Sequence, residues 1–403
     1  MATDGHSLDR YRDVAPPGSV DALYRFSERV RGKRFVHVNS TRYGGGVAEM
    51  LHRLLPLLNQ LGVAARWEVL QGDEEFFRIT KSFHNAFQGE DQPISAEMLE
   101  HYLEANRRNA SRLDLDGDLV LIHDPQPAAL IEHRGRGAWV WRCHIDASHP
   151  LRRVWAFFRP LISRYDGAVF SLPRFAQRLG IPQYLIYPSI DPLSDKNRDL
   201  PAEEVQAVLT RLGIPQDKPI LLQVSRFDRF KDPVGVVHAY RLVKRHDDCR
   251  LVLAGGGAVD DPEGPKVLAE VQAAAAGDPD VHVLVLPDNA NVEINALQRA
   301  ATIVLQKSTR EGFGLTVAEA MWKGKPVIGG FAGGITVQIV FGTTGYTVNS
   351  PEGAAFRARY LLNNPEVATR MGENAREYVR RNFLITRHLA DLLALLTLHT
   401  RAA

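Results

Sequence analysis

Short apolar runs alternate with segments of helical periodicity, twice over in succession, and this alternation constrains the fold more than any other feature of the chain. In the first series RFVHVNS (34–40) has the pattern of a buried strand and ends in Asn-Ser. TRYGGG (41–46) follows, then VAEMLHRLLPLLNQLG (47–62), whose apolar positions keep helical spacing up to the stop at Gly62. AARWEVL (64–70), DLVLIHD (118–124), GAWVWRCHID (137–146) and GAVF (167–170) read as further strands. A polar, mostly helical insert lies at about 73–112, a helix near 151–164, and a polar arm or early helix over 1–33.

LIYPSIDPLSDKNRDLP (185–201) has the Pro, Ser and Asp content of a linker. The second series then runs PILLQVSRF (219–227), CRLVLAGG (249–256), VHVLVL (281–286), ATIVLQ (301–306) and KPVIGG (325–330). The tail, 365–400, is helical and closes in HLADLLALLTLH (388–399). Such alternation predicts an α/β protein of two Rossmann-like, doubly wound domains with parallel sheets. The expected boundaries are 1–190 and 191–383, with a helix over 384–403 packing back on the first domain. Open sheets of this kind bind ligands at the carboxyl ends of their strands, and both edges are expected to face a central cleft.

The length of 403 residues fits two cores better than one. A formal net charge of +2 offers no basic stripe for nucleic acid. No uncharged apolar run approaches the roughly 18 residues of a membrane span, and the polar N-terminus has no secretory pattern. A cytoplasmic setting without a membrane partner is expected. Cys143 and Cys249 lack metal-ligand spacing and read as buried free thiols.

REGFGLTVAE (310–319) carries the sharpest chemical signal. A plain βα turn with both acids solvated fits the stretch taken alone. SRFDRFKD (225–232) places Arg226 and Lys231 at the end of a strand, and LVLA leads into Gly255-Gly-Gly257. Two cations there suit a diphosphate, one as a forked donor and one as a compact charge; a solvated loop with stray basic residues fits equally. A helix starting near Leu315 would leave the amides of Gly314, Leu315 and Thr316 open to an anion. Glu311 in front and Glu319 about two turns in are better suited to hydroxyls than to phosphate. An anion site flanked by two hydroxyl-binding acids describes a nucleotide sugar.

SRFDRFKD, LVLAGGG, EGFGLTVAEA, KPVIGG and TRYGGG, in this spacing over most of the chain, resemble the retaining glycosyltransferases of the two-domain GT-B type, the family 4 group with a Glu-x7-Glu signature. HVNSTRYGGGVAEML, WRCHIDAS (141–148) and LQKSTREGFGLTVAEA are similar to the trehalose glycosyltransferring synthases within that group, which move glucose from a nucleoside diphosphate glucose to free glucose. The resemblance implies that Arg226 and Lys231 hold the diphosphate. It implies that Glu311 binds donor-sugar hydroxyls beside the backbone of Gly312, Phe313 and Gly314, and that Glu319 binds the ribose. Leu315 and Thr316 would offer amides to the phosphates. Gly44, Gly45 and Gly46 would bring bare backbone to the phosphates or the glucose. His144 and Asp146 would stand beside the glucosyl group and the acceptor.

The implied partners are UDP-glucose, ADP-glucose or another such donor, with glucose as acceptor. No cofactor is required on this reading, although Mg2+ can accompany the diphosphate, and no metal site is expected. The apolar tail could dock on the first domain or pair with a second copy, a homodimer being the expected state.

A trehalose phosphorylase, or transfer to a sugar phosphate held by Arg142, Arg152 and Arg153, shares most of these motifs. A nicotinamide-dependent dehydrogenase lacks its Gly-x-Gly-x-x-Gly spacing here, and a silent sugar-binding protein would not need both acids and both cations. Gln338 stands where many relatives carry an acid, and Phe341-Gly342 replaces a frequent Asp-Gly, so a charged contact from this loop to the donor is not expected. His123, His149 and His282 read as satisfied core or surface histidines, with His123-Asp124 distinguished by its place at a strand end. Trp139 and Trp141 read as core.

Overall fold

Strands covered on both faces need continuous apolar runs rather than alternation, and the chain supplies them in both series. The computed structural model describes residues 7–43, 45–256 and 264–400. The chain divides into two units, Met1–Ser189 with Ile385–Ala403, and Ile190–Leu384.

The first unit begins with α1 (Ser19–Ser27), β1 (Arg34–Asn39), α2 (Gly45–Gln60), β2 (Ala64–Val69), α3 (Glu74–Phe87) and α4 (Ala96–Ala110). It continues with β3 (Leu119–His123), β4 (Ala138–Cys143), α5 (Arg152–Ile162), β5 (Gly167–Phe170) and β6 (Gln183–Leu185). The sheet order is β2-β1-β3-β4-β5-β6, all parallel. Chain direction across the sheet reverses between β1 and β3, which makes their carboxyl ends the expected ligand edge. His37 lies opposite Leu121, and His123 opposite Arg142. Side chains alternate between faces, so His37, His123 and Arg142 share one face.

The insert predicted as helical forms α3 and α4, started by Asp73 and Ser95 accepting from the amides of Phe76 and Met98. Trp139 and Trp141 are fully buried, as their alternation in the sequence predicts. Cys143 and Cys249 are buried and free.

The second unit runs α6 (Ala202–Arg211), β7 (Ile220–Val224), α7 (Pro233–Lys244), β8 (Arg250–Gly255), α8 (Gly264–Ala275), β9 (Val281–Val285) and α9 (Asn291–Ala300). β10 (Ile303–Gln306), α10 (Leu315–Trp322), β11 (Val327–Gly330), α11 (Ile335–Gln338), β12 (Gly345–Val348), α12 (Pro351–Leu362) and α13 (Pro365–Asn382) complete it. Its sheet is again parallel, in the order β12-β11-β10-β7-β8-β9. β7 and β10 are therefore neighbours at the reversal point, and the loops 225–232 and 307–314 leave adjacent strand ends.

α14 (Ile385–Thr400) belongs to the first unit, where it packs on α1, α2 and β3. Leu389, Leu392, Leu393, Leu395 and Leu396 are all buried there. The apolar tail thus docks within its own unit rather than presenting that face to a second copy.

Three features depart from the sequence reading. The edge strands β6 and β12 were not anticipated. The stretch read as a linker is packed: Asn197 is buried, and Asn295 Nδ2 donates to Asp195 O and Arg198 O, each at 2.8 Å. α2 starts at Gly45, two residues earlier than expected. No helix among the described residues is long and apolar enough to cross a membrane.

Candidate active site

In the second unit the adjacency of β7 and β10 brings together two side chains 80 positions apart. Lys231 Nζ donates to Glu311 Oε2 at 2.7 Å, and Ser308 Oγ donates to the same oxygen at 3.2 Å. Lys307 Nζ is paired with Asp232, whose other oxygen caps α7 through the Gly235 amide. The Thr309 amide donates to Phe230 O at 2.8 Å. Two ion pairs and a backbone bond therefore stitch the 225–232 loop to the 307–314 loop. Glu311 is buried and Lys231 half-buried, whereas Arg226 is exposed, with its guanidinium 3.6 Å from Asp228 Oδ2.

The Glu311-to-Thr316 backbone is shaped by glycine. Gly314 caps α10 at φ +84°, a left-handed conformation that glycine adopts freely. Gly333, at φ +43°, passes so close that a Cβ there would lie 1.4 Å from Glu311 O. Gly334 N donates to Gly312 O at 3.2 Å. Leu315 and Thr316 open α10, and the buried Phe313 ring packs edge-on against Phe383 at 5.4 Å.

Gln338, where an acid was the familiar residue, is fully buried, and its Nε2 donates to Phe313 O at 2.6 Å, Gly314 O at 3.2 Å and Gly334 O at 3.3 Å. Its amide holds the glycine stretch in place from behind. A carboxylate in this position would set its oxygens against three carbonyls.

Glu319 lies in the second turn of α10 and is buried, with Lys196 Nζ 3.9 Å from its Oε1. Lys323, one turn further, donates to Glu319 O at 3.2 Å and to Asn197 Oδ1 at 2.9 Å. Burial pushes the Lys323 ammonium down, and the Glu319 charge opposes that shift. None of Lys196, Asn197 and Lys323 stood out in the sequence, because their place under Glu319 depends on how the 190–200 stretch packs.

In the first unit, Gly44 lies outside the described residues, while Gly45 and Gly46 form the first turn of α2. The preceding loop is held by Asn39, which donates to Thr41 O at 2.7 Å and accepts from Trp67 Nε1 at 2.7 Å. Arg42 lies over the Trp67 ring, 4.9 Å from its centroid.

His144 follows β4, and its backbone amide donates to Asp124 Oδ1 at 2.7 Å. Asp124 sits at φ 66°, and burial pushes its carboxyl up to about 7. Asp146 accepts from the amide and hydroxyl of Ser148 at 3.0 and 2.6 Å.

The sequence reading passed over what lies behind His144. His123 Nδ1 is 2.9 Å from His144 Nε2, and His123 Nε2 is 3.1 Å from His37 Nδ1. Burial pushes all three imidazoles down, His37 to about 3. Arg142 is also buried and contacts His388 Nε2 at 3.0 Å and Ile186 O at 3.3 Å, so it is committed to the protein interior rather than to a sugar phosphate. Arg153 pairs with Asp91 at 2.8 Å. Among the described residues no group of three or more His, Cys, Asp or Glu is arranged to hold a metal ion.

Residues 37–177 match the family described as trehalose synthase, N-terminal domain, and residues 206–378 match glycosyl transferases group 1. The trehalose synthase of Pyrococcus horikoshii is 47% identical over 396 residues, covering 96% of this chain and 95% of that protein. The chain belongs to the trehalose synthase family. A second trehalose synthase, from Thermococcus litoralis, is 45% identical over 400 residues, 98% of this chain and 97% of its own length. Among solved structures, a UDP-forming α,α-trehalose-phosphate synthase from Burkholderia xenovorans superposes with a TM-score of 0.73 at 15% identity, over 92% of this chain and all of that one.

As a trehalose synthase family member the protein is a glycosyltransferase of GT-B fold, with two parallel six-stranded sheets, acting in trehalose-related glycosyl transfer. Lys231, Glu311 and the glycine stretch lie at the reversal point of the second sheet, Glu319 follows in the second turn of α10, and His144 and Asp146 lie just past the carboxyl end of β4 in the first unit.

Proposed function

We propose that this trehalose synthase family glycosyltransferase transfers glucose from a nucleoside diphosphate glucose to free glucose, with retention, making α,α-trehalose and releasing the nucleoside diphosphate. The observation that carries the reading is the order along the two joined loops: the Lys231–Glu311 pair, then the N-terminus of α10, which has no side-chain cap, then the buried Glu319. That order suits sugar hydroxyls, diphosphate and ribose in turn.

On this reading the Lys231 ammonium shares its charge between Glu311 and the departing phosphate, where negative charge grows. Arg226, exposed on the same loop, supplies the forked donors. The C1–O bond to the diphosphate breaks and a C1–O bond to the acceptor forms on the same face. The acceptor's proton passes to the leaving phosphate oxygen. His144 and Asp146 hold the glucosyl group and the acceptor, and fixed orientation of the reacting groups supplies much of the rate. No cofactor takes part; Mg2+ enters only as a counter-ion of the diphosphate. A homodimer would need a surface other than the buried face of α14.

The test offers the purified protein glucose with UDP-, ADP- or GDP-glucose, with and without Mg2+, beside tubes holding glucose with glucose 1-phosphate and maltose alone. Products are identified by NMR. An α,α-linked disaccharide from the nucleotide donors supports the reading. Product only from glucose 1-phosphate would make the protein a phosphorylase and remove the ribose role of Glu319. Conversion of maltose alone would replace transfer by isomerisation.

A further inference from the structure

His37 on β1, His123 on β3 and His144 just past the end of β4 step diagonally across one face of the first sheet, two residues onward for each strand crossed. Their ring planes are nearly parallel, tilted 22° between His37 and His123 and 13° between His123 and His144. With nitrogen separations of 3.1 and 2.9 Å, each contact is an N–H of one ring directed at the lone pair of the next.

A neutral imidazole has one N–H and one lone pair. If His37 donates from Nδ1, then His123 must accept at Nε2 and donate from Nδ1, and His144 must accept at Nε2 and carry its proton on Nδ1. If the chain runs the other way, all three carry the proton on Nε2. A mixed pattern would set two N–H groups or two lone pairs against each other. The three rings therefore share one tautomer, and the nitrogen left on His144, Nδ1, is donor or acceptor according to the state of His37.

The ends of the chain are open in a telling way. His37 Nε2 and His144 Nδ1 are both buried and without a hydrogen-bond partner among the described residues. The three rings border a cavity of about 10 Å³ with Arg142 and His388, roofed by Met50, Leu51 and Leu54. Burial, helped by the Arg142 guanidinium in that wall, keeps the rings neutral, so protonation does not scramble the order.

We propose that His37 and His123 are positioning residues that couple to His144 in one shared tautomer and so hold its ring in a single orientation at the carboxyl end of β4, beside the glucosyl group. The effect on catalysis rests on the place assigned above to His144; the shared tautomer does not.

The experiment reads imidazole nitrogen shifts in 15N-histidine-labelled protein, with signals assigned by their loss in His37→Asn, His123→Asn and His144→Gln. Wild-type protein should show His37, His123 and His144 in one tautomer; unlike tautomers overturn the proposal, even if the variants are inactive. The amide of His37→Asn places a donor or acceptor where Nδ1 stood, whereas His37→Leu places neither. His37→Leu should leave His144 in mixed tautomers and lower kcat roughly tenfold, the size of one lost hydrogen bond, with donor KM unchanged. His37→Asn should recover most of that loss. A folded His37→Leu enzyme with wild-type kcat and one tautomer at His144 would refute it. If no glucosyl transfer is found at all, the tautomer pattern still decides the structural half.

Discussion

Replacing Gln338 by glutamate exchanges one NH2 for one oxygen in a fully buried site where three carbonyls face the side chain. A carboxylate there has no donor to offer and cannot keep its charge beside Phe313 O, Gly314 O and Gly334 O. It must stay protonated in the folded protein while ionising normally, near pH 4.3, in the unfolded chain. Each pH unit above that value then costs about 1.4 kcal/mol, or about 4 kcal/mol at pH 7. The sign follows from the raised folded pKa: stability is intact below the unfolded pKa and falls as pH rises.

For a unit of this size one kcal/mol shifts Tm by about 2–4 °C, so the variant should melt roughly 8–16 °C below wild type at pH 7. The gap should close to a few degrees near pH 4. Calorimetry of both proteins at matched pH, with Gln338→Met as a control lacking the charge, separates the effects. Gln338→Met should be destabilised by the same amount at every pH. A Tm difference for Gln338→Glu that does not change with pH, or that stays under about 3 °C at pH 7, would refute the burial argument.

Glu311→Ala should lower kcat by on the order of a thousandfold, while Glu319→Ala should chiefly raise the donor KM, by about tenfold to a hundredfold; steady-state kinetics with varied donor distinguishes them. Asp124 holds a proton up to about pH 7 in the folded protein, so its contribution to stability falls as pH rises from about 4 to 7. Asp124→Asn keeps the acceptor for the His144 amide and should flatten that part of a denaturant-derived stability profile. Gly333→Ala would drive a methyl into Glu311 O, and should abolish donor binding by calorimetric titration even where circular dichroism shows a folded chain.

Most of the architecture was legible because strands buried on both faces leave apolar runs that need no partner to be recognised. β6 and β12, three and four residues long, leave too short a run, and their pairing comes from the sheet edge rather than from their own sequence. Lys231 and Glu311 were each singled out, yet nothing in the chain says that they touch; that depends on β7 lying beside β10. The histidine chain was invisible for the same reason, since a diagonal across three strands exists only once register is fixed. Gln338 was noticed as a missing acid, whereas its role as a donor needed the position of the Phe313 carbonyl. The 190–200 stretch has linker composition, and only its packing on α9 shows that Asn197 and Lys196 belong under Glu319.

The return of α14 to the first unit also orders events during synthesis. His388 bonds Ser189 Oγ and Arg142, and the leucines of the same helix fill the core beside β3. A ribosome adding about 5–20 residues per second needs roughly 10–40 s to pass from Ser189 to Ile385. Through that interval the first unit waits with the Arg142 guanidinium short of its histidine, while the second unit can already close on its own sequence. The half that is made first is finished last, so a nascent chain stalled before residue 385 should show native-like protease resistance in Ile190–Leu384 and not in the segment ahead of it.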